Sequence, residues 1–193
     1  MSKIYVDEIT GFEGTETGAP ITLSGDTVTL GSSVTFPAGV LIKKTYYSIG
    51  RGTYTNSQFP NDDTIPQRSE GSEIFSQSYT PSTSNCNLFI TTYVRLGESS
   101  NIINDMQLGL FISDDDNALI VGEDYVIGEG SVIHSANITL MHSMSSWGTT
   151  EKTFSLRASG GNRFNYSNIS ATWANAKFGS AFKSAFIVEE IAT

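Results

Sequence analysis

Apolar and polar residues alternate with a period of two through much of this chain, and the longest such run is Asn87 to Leu96. Leu88, Ile90, Thr92, Val94 and Leu96 fall on one parity, and Phe89, Thr91, Tyr93 and Arg95 on the other. Successive side chains of a strand point to opposite faces. Both parities carry apolar or aromatic groups, so the pattern predicts a central strand covered on both sides. Further runs predict strands at Val40–Ile49, Ile74–Tyr79, Met106–Ile112, Ala118–Val121, Val132–Leu140, Thr153–Ala158 and Phe182–Ile191. Turn-forming clusters such as Thr80-Pro81-Ser82 and Asp114-Asp115-Asp116-Asn117 separate them, as does a polar loop over residues 55–72. Only Ala171 to Phe178 tolerates a helix, and it is too short to be stable alone. Regularly spaced strands without helices predict an all-β head, a two-sheet β-sandwich of jelly-roll type.

Ahead of these strands a shorter pattern recurs: Ile21-Thr22-Leu23, Val28-Thr29-Leu30 and Val34-Thr35-Phe36. Each copy is apolar–Thr–apolar, and Ser24-Gly25-Asp26 and Gly31-Ser32-Ser33 between them are turn residues. So short a strand cannot bury its apolar side alone. It needs copies stacked along the chain or supplied by other chains, as in a fibre shaft. A charged start and a Gly/Thr-rich stretch over residues 11–20 precede the copies, and Phe36-Pro37-Ala38-Gly39 closes them. The chain therefore divides near Val40, into an N-terminal anchoring and trimerising segment (residues 1–40) and the head (residues 41–193). Ile4, Val6, Ile9, Ile21, Leu23, Val28, Leu30, Val34 and Phe36 are the apolar candidates for anchoring and trimerisation.

Composition narrows the function. The chain of 193 residues carries a net charge of −9, so nucleic-acid binding, which needs clustered Lys and Arg, is not expected. Charged residues make up only 16%, and Ser, Thr, Asn and Gly dominate the polar surface. The single cysteine, Cys86, rules out an internal disulfide and reads as a small buried hydrophobe. No apolar run approaches the roughly 18 residues that cross a bilayer, and the start lacks the apolar core of a signal peptide. The expectation is a soluble protein made in a cytoplasm, without membrane insertion.

Catalytic signatures are absent: no G-x-S-x-G, P-loop or G-x-G-x-x-G occurs. His134 and His142 share strand parity, yet no Asp, Glu or Cys at useful spacing supplies a third metal ligand, unless symmetry does. Asp114-Asp115-Asp116-Asn117 lacks the spacing of a calcium loop. The expectation is no enzyme, no cofactor and no metal. Aromatic residues in polar loops are the better lead. Trp147 lies in Met144-Ser-Ser-Trp-Gly-Thr-Thr, Tyr54 and Phe59 flank Asn56-Ser57-Gln58, and Arg163 opens Arg163-Phe164-Asn165. These four are the candidates for contact with a sugar or protein surface.

The phrase Met-Ser-Lys-Ile-Tyr-Val-Asp-Glu-Ile, followed by Ala-Pro-Ile-Thr-Leu-Ser-Gly-Asp-Thr-Val-Thr-Leu-Gly and Val-Thr-Phe-Pro-Ala-Gly, resembles short fibre proteins of marine tailed phages, cyanophage fibres among them. The later Ser-Tyr-Thr-Pro-Ser-Thr-Ser-Asn, the Leu-Phe-Ile-Thr-Thr-Tyr-Val strand and the closing Phe-Ile-Val-Glu-Glu-Ile resemble the C-terminal domain of the same proteins. The resemblance implies a homotrimer on the virion with a shaft-like N-terminus, a β-sandwich head and no catalysis. It implies contacts to other virion proteins through the N-terminal segment, and a head that presents loops to a host surface glycan or protein. A segment as short as residues 1–40 points to an accessory fibre, a distal tip or a capsid-surface protein rather than a main tail fibre. The competing expectations are a capsid decoration or cement protein or a tail adaptor, and a free carbohydrate-binding module.

Overall fold

The computed structural model describes residues 8–9, 21–24, 27–30, 36–50, 52–55, 58–98, 103–127, 134–160, 163–166 and 183–193. The chain forms two compact units, Met1–Ala38 and Gly39–Thr193.

In the first unit, β1 (Glu8–Ile9), β2 (Ile21–Ser24) and β3 (Thr27–Leu30) form a three-stranded antiparallel sheet in chain order. Two of the apolar–Thr–apolar copies thus become paired strands. Their register sets Ile21 against Leu30 and Leu23 against Val28, so the apolar positions match across the pair. Ile9 pairs with Ile21. Ile4, Val6 and Val34 lie outside the described residues, and Phe36 is exposed and outside any strand.

The second unit is a β-sandwich. Its strands are β4 (Leu41–Ile49), β5 (Gly52–Thr55), β6 (Ser72–Tyr79), β7 (Cys86–Glu98), β8 (Ile103–Ile112), β9 (Ile120–Ile127), β10 (His134–Ser145), β11 (Lys152–Ser159), β12 (Arg163–Tyr166) and β13 (Ser184–Ala192). Four antiparallel pairs are nested within one another: β8 with β9, β7 with β10, β6 with β11, and β4 with β13 outermost. Folding this long double strand over itself gives one sheet ordered β4-β13-β7-β10 and a second ordered β6-β11-β8-β9. That is a jelly roll. The short β5 and β12 extend the larger sheet, with β12 pairing β7 at Leu96 and Gly97. Among the described residues no helix occurs.

The core lies between the inner faces. Leu88, Ile90, Val94 and Leu96 of β7 face Met106, Leu108, Leu110 and Ile112 of β8, all nearly fully buried. An aromatic series bridges the sheets: Tyr47–Phe75, Phe75–Phe186, Phe186–Phe154 and Phe154–Tyr79, with ring centroids 6.3, 5.1, 5.6 and 6.3 Å apart. Tilted pairs at such separations add to the stability gained from burial alone. Two bulges fit extra residues into this core. One sits where β4 loses register with β13, at Glu190/Ile191, and Ile42 packs on the core. The other lies where β6 meets β11 at Leu156/Arg157, and both Ile74 and its neighbour Phe75 pack inward. At Gly122 of β9 a Cβ would meet Leu140 Cδ2 at 2.7 Å and Ile138 Cγ2 at 3.0 Å, so a side chain there would have to displace these core residues of β10.

The expected strands are present, several of them longer than the sequence pattern indicated. The β9 strand begins at Ile120 and runs to Ile127, through Gly122-Glu123-Asp124, which lacks apolar alternation. Neither β5 nor β12 stands out as a strand in the sequence, because each is only four residues long, too short for its alternation to register. Ala171 to Phe178 lies outside the described residues.

Candidate functional site

The four contact candidates do not converge. Trp147 follows β10, whose Ser145 pairs with Asn87 at one end of β7. Tyr54 and Arg163 belong to β5 and β12, which join β7 at Leu96 and Gly97. The two places are about 30 Å apart along the strand. Tyr54 pairs with Phe164 and Arg163 with Thr55, so their backbones are neighbours, and their side chains lie outside the described residues.

Phe59 is not a surface ring: it is 4% exposed. The loop over residues 58–71 lies on the outer face of the smaller sheet, where Phe59 stacks 6.2 Å from the buried Phe111. The fit depends on glycine. A Cβ at Gly109 would meet Phe111 Cε2 at 2.8 Å, and one at Gly71 would meet Phe59 Cε1 at 2.6 Å. Gly71 also has φ +61°, a conformation that other residues adopt only at a cost. The loop is pinned by Phe59 N–H donating to Ser159 Oγ (2.9 Å), Arg157 donating to the Glu70 and Gly71 carbonyls (2.6 and 2.9 Å), and Arg68 donating to the Ser113 carbonyl (2.5 Å).

Trp147 is half-buried and packs on the core, edge-on to Phe154 with centroids 5.7 Å apart. Its Nε1–H donates to the Thr150 carbonyl at 2.8 Å, and Lys152 Nζ lies 4.9 Å above the ring. Its polar setting reflects a loop that closes on its own indole, which is why the surrounding Ser, Gly and Thr hid a packing role.

The most elaborate polar cluster was not visible in the sequence. Glu190 on β13 points inward and its side chain is fully buried. Its carboxylate accepts from Tyr79 Oη (2.5 Å), from Ser82 N–H (3.1 and 3.2 Å) and from Ser82 Oγ. Lys43 Nζ stands 3.6 Å away and 5.1 Å from the Tyr79 ring centroid. The cluster ties the β6–β7 turn to β13. Burial first, then the hydrogen bond to Glu190 and its charge, push the Tyr79 phenol well above its ordinary range. Burial also raises the nearby Cys86 thiol, whose Sγ contacts the Thr83 carbonyl at 3.4 Å. A buried, protonated thiol of this kind packs and does not react.

Other titratable groups are dispersed. His142 is half-buried on β10, and desolvation lowers its pKa. The side chain of His134 lies outside the described residues. Asp114 pairs with Lys152 at 2.5 Å, which lowers its pKa, and Asp116 pairs with Arg68 at 3.2 Å. Among the described residues no three His, Cys, Asp or Glu side chains gather as a metal site. No described helix is long and apolar enough to cross a membrane.

The outstanding surface is the outer face of the larger sheet. Register places Tyr46, Ile187, Thr91 and Met141 in one row across β4, β13, β7 and β10. Tyr46 is 58% exposed and Met141 72%. Phe89, Tyr93 and Leu41 flank this row and are also exposed. The expectation that β7 is covered on both sides therefore fails within one chain: its inner parity is sealed, while Phe89 and Tyr93 face solvent. The smaller sheet has a loop over part of its outer face, and among the described residues none covers these rings of the larger sheet.

No protein-family model matches the chain, and no curated protein matches its sequence. Among solved structures, it is similar to the infectious bursal disease virus Gx strain structure over 90% of its length, at 12% identity and a TM-score of 0.31. It is also similar to the VP2 subviral particle of infectious bursal disease virus (12% identity, 90% of this chain, TM-score 0.26) and to the T=1 particles derived from that virus (13% identity, 90% of this chain, TM-score 0.28). The chain spans 40%, 42% and 40% of those viral chains.

Proposed function

We propose that this protein is a non-catalytic virion structural protein, a homotrimeric tail fibre or accessory fibre. Residues 1–40 anchor and trimerise it, and the jelly-roll head is presented to the host surface. The observation that carries this reading is the pairing of two apolar–Thr–apolar copies as β2 and β3 ahead of a complete jelly roll. Such short strands bury too little apolar surface to stand alone, so a small sheet of them calls for further chains. The phage-fibre resemblance of the same segment supplies the setting. Trimerisation would make weak single contacts of each head multivalent.

A capsid decoration or cement protein, or a tail adaptor, is the second reading. It is favoured by the burial of two contact candidates: Phe59 and Trp147 pack within the head, and Trp147 lies about 30 Å along β7 from the strands that carry Tyr54 and Arg163. Immunogold labelling or cryo-EM of the intact virion separates the two. Density at the tail supports the fibre, and density across the capsid surface supports decoration. Absence from particles overturns both.

A further inference from the structure

We propose that the outer face of the β4-β13-β7-β10 sheet is where a second copy of this chain packs. The inference deepens the homotrimer reading and rests on it only for the presence of several copies. One outer face of the sandwich is covered in part by the chain's own loop, with Phe59 laid on Phe111, and leaves Val121 and Tyr125 of the edge strand β9 exposed. The other carries Leu41, Tyr46, Phe89, Tyr93 and Met141, each at least 38% exposed, within one sheet. Thr91 and the Lys44–Glu189 pair are interspersed among them, and a face of this size lies at the upper end of what monomers expose, where patches are often functional.

Charge selects the occupant. The chain has a net charge of −9, so two copies repel over most of their surfaces. The outward positions of β4, β13, β7 and β10 carry one acid, Glu189, paired to Lys44 at 2.8 Å, and one further base, Arg95. This face is close to neutral, so a like-charged copy can approach it with little repulsion. A strongly basic partner would instead find little to pair with there. Size agrees as well. Four strands at about 4.8 Å spacing, each some 8 residues long, make a face of roughly 500 Å². Two copies then bury about 1,000 Å², the lower bound for a specific interface. Around a three-fold axis this face of one copy meets a different surface of the next.

The test uses the full chain and thiol labelling. Native Cys86 is 2% exposed and serves as the unreactive background. Met141→Cys places a thiol on the proposed face. Tyr125→Cys places one at a position that is also exposed (57%) but lies on β9 of the other sheet. We expect the Met141→Cys protein to react with a maleimide about ten-fold more slowly than the Tyr125→Cys protein. Adding Phe89→Glu to the Met141→Cys chain should restore fast labelling. Equal rates for the two single-cysteine proteins, or a sedimentation coefficient of a monomer for the wild-type chain, would overturn the proposal. So would slow labelling confined to intact particles, which would mean that another protein covers the face. Because labelling is done on purified protein and localisation on virions, either claim can fail without the other.

Discussion

Replacing Glu190 tests whether a buried charge holds the head together. In Glu190→Gln the side chain keeps its volume and one acceptor, but it turns an amide donor toward Tyr79 Oη or the Ser82 donors that now point at the carboxylate. Each bond to a charged acceptor is worth about 1 kcal/mol more than its neutral counterpart. A donor left facing a donor costs about 1–3 kcal/mol when buried. The sum is about 3 kcal/mol, or roughly 6–12 °C in Tm for a domain of this size. Lys43 faces the same carboxylate from a position 42% exposed, so Lys43→Ala should cost under about 1 kcal/mol. Urea unfolding of both variants, followed by the fluorescence of Trp147 in chains carrying Trp173→Phe, gives the comparison. If Glu190→Gln loses no more stability than Lys43→Ala, the carboxylate is not what ties the β6–β7 turn to β13, and the reasoning fails.

Three further outcomes follow from the structure. Phe59→Ala should lose about 3–5 kcal/mol and make the outer face of the smaller sheet bind a hydrophobic dye, because Phe111 loses its cover; calorimetry and dye fluorescence report both, and an unchanged Tm would contradict the packing. Gly109→Ala should cost about 1–3 kcal/mol through the collision with Phe111 and Phe59, and Phe59→Leu in the same chain should recover part of it in urea titrations. For pH, Tyr47 and Tyr79 have folded pKa values raised, mainly by burial, above the unfolded value near 10. Their contribution is therefore complete below about pH 10 and is lost as pH rises further. The urea midpoint should fall between pH 9 and 11, by less in Tyr79→Phe, and an identical slope in the variant would rule out Tyr79 as a source.

The periodicity of the sequence was sufficient for the sandwich because most core strands expose one parity to solvent and bury the other. Leu88 to Leu96 shows this plainly; in Met106 to Ile112 the inner parity is buried as well, but the loop over residues 58–71 also covers Phe111 on the outer one. Tertiary context decided the rest. Phe59 sits in a polar loop, and only the fold brings it over Phe111, a ring distant in sequence. Glu190 looks like a solvent-facing charge, and its partners Tyr79 and Ser82 lie more than 100 positions earlier. The second apolar parity of β7 was read as covered, and the pattern cannot say whether the cover comes from the same chain. Bulges at Ile42 and Ile74 break strict alternation, so those two residues fit no simple period.

The nested pairing of strands has a consequence for synthesis. The outermost pair joins Leu41 to Ile191, and β13 also fills the space between β4 and β7 along residues 86–93. Contacts so remote in sequence make folding slow. At about 5–20 residues per second, the ribosome takes some 7–30 s to pass from β4 to β13, and through that interval the larger sheet has a gap at its centre. A chain stalled before Ser184 leaves the β7 backbone unpaired over residues 86–93, an edge open to aggregation. The β1–β3 segment is complete long before this, so the trimerisation proposed for it would tether nascent chains to one another while their heads are still unfinished.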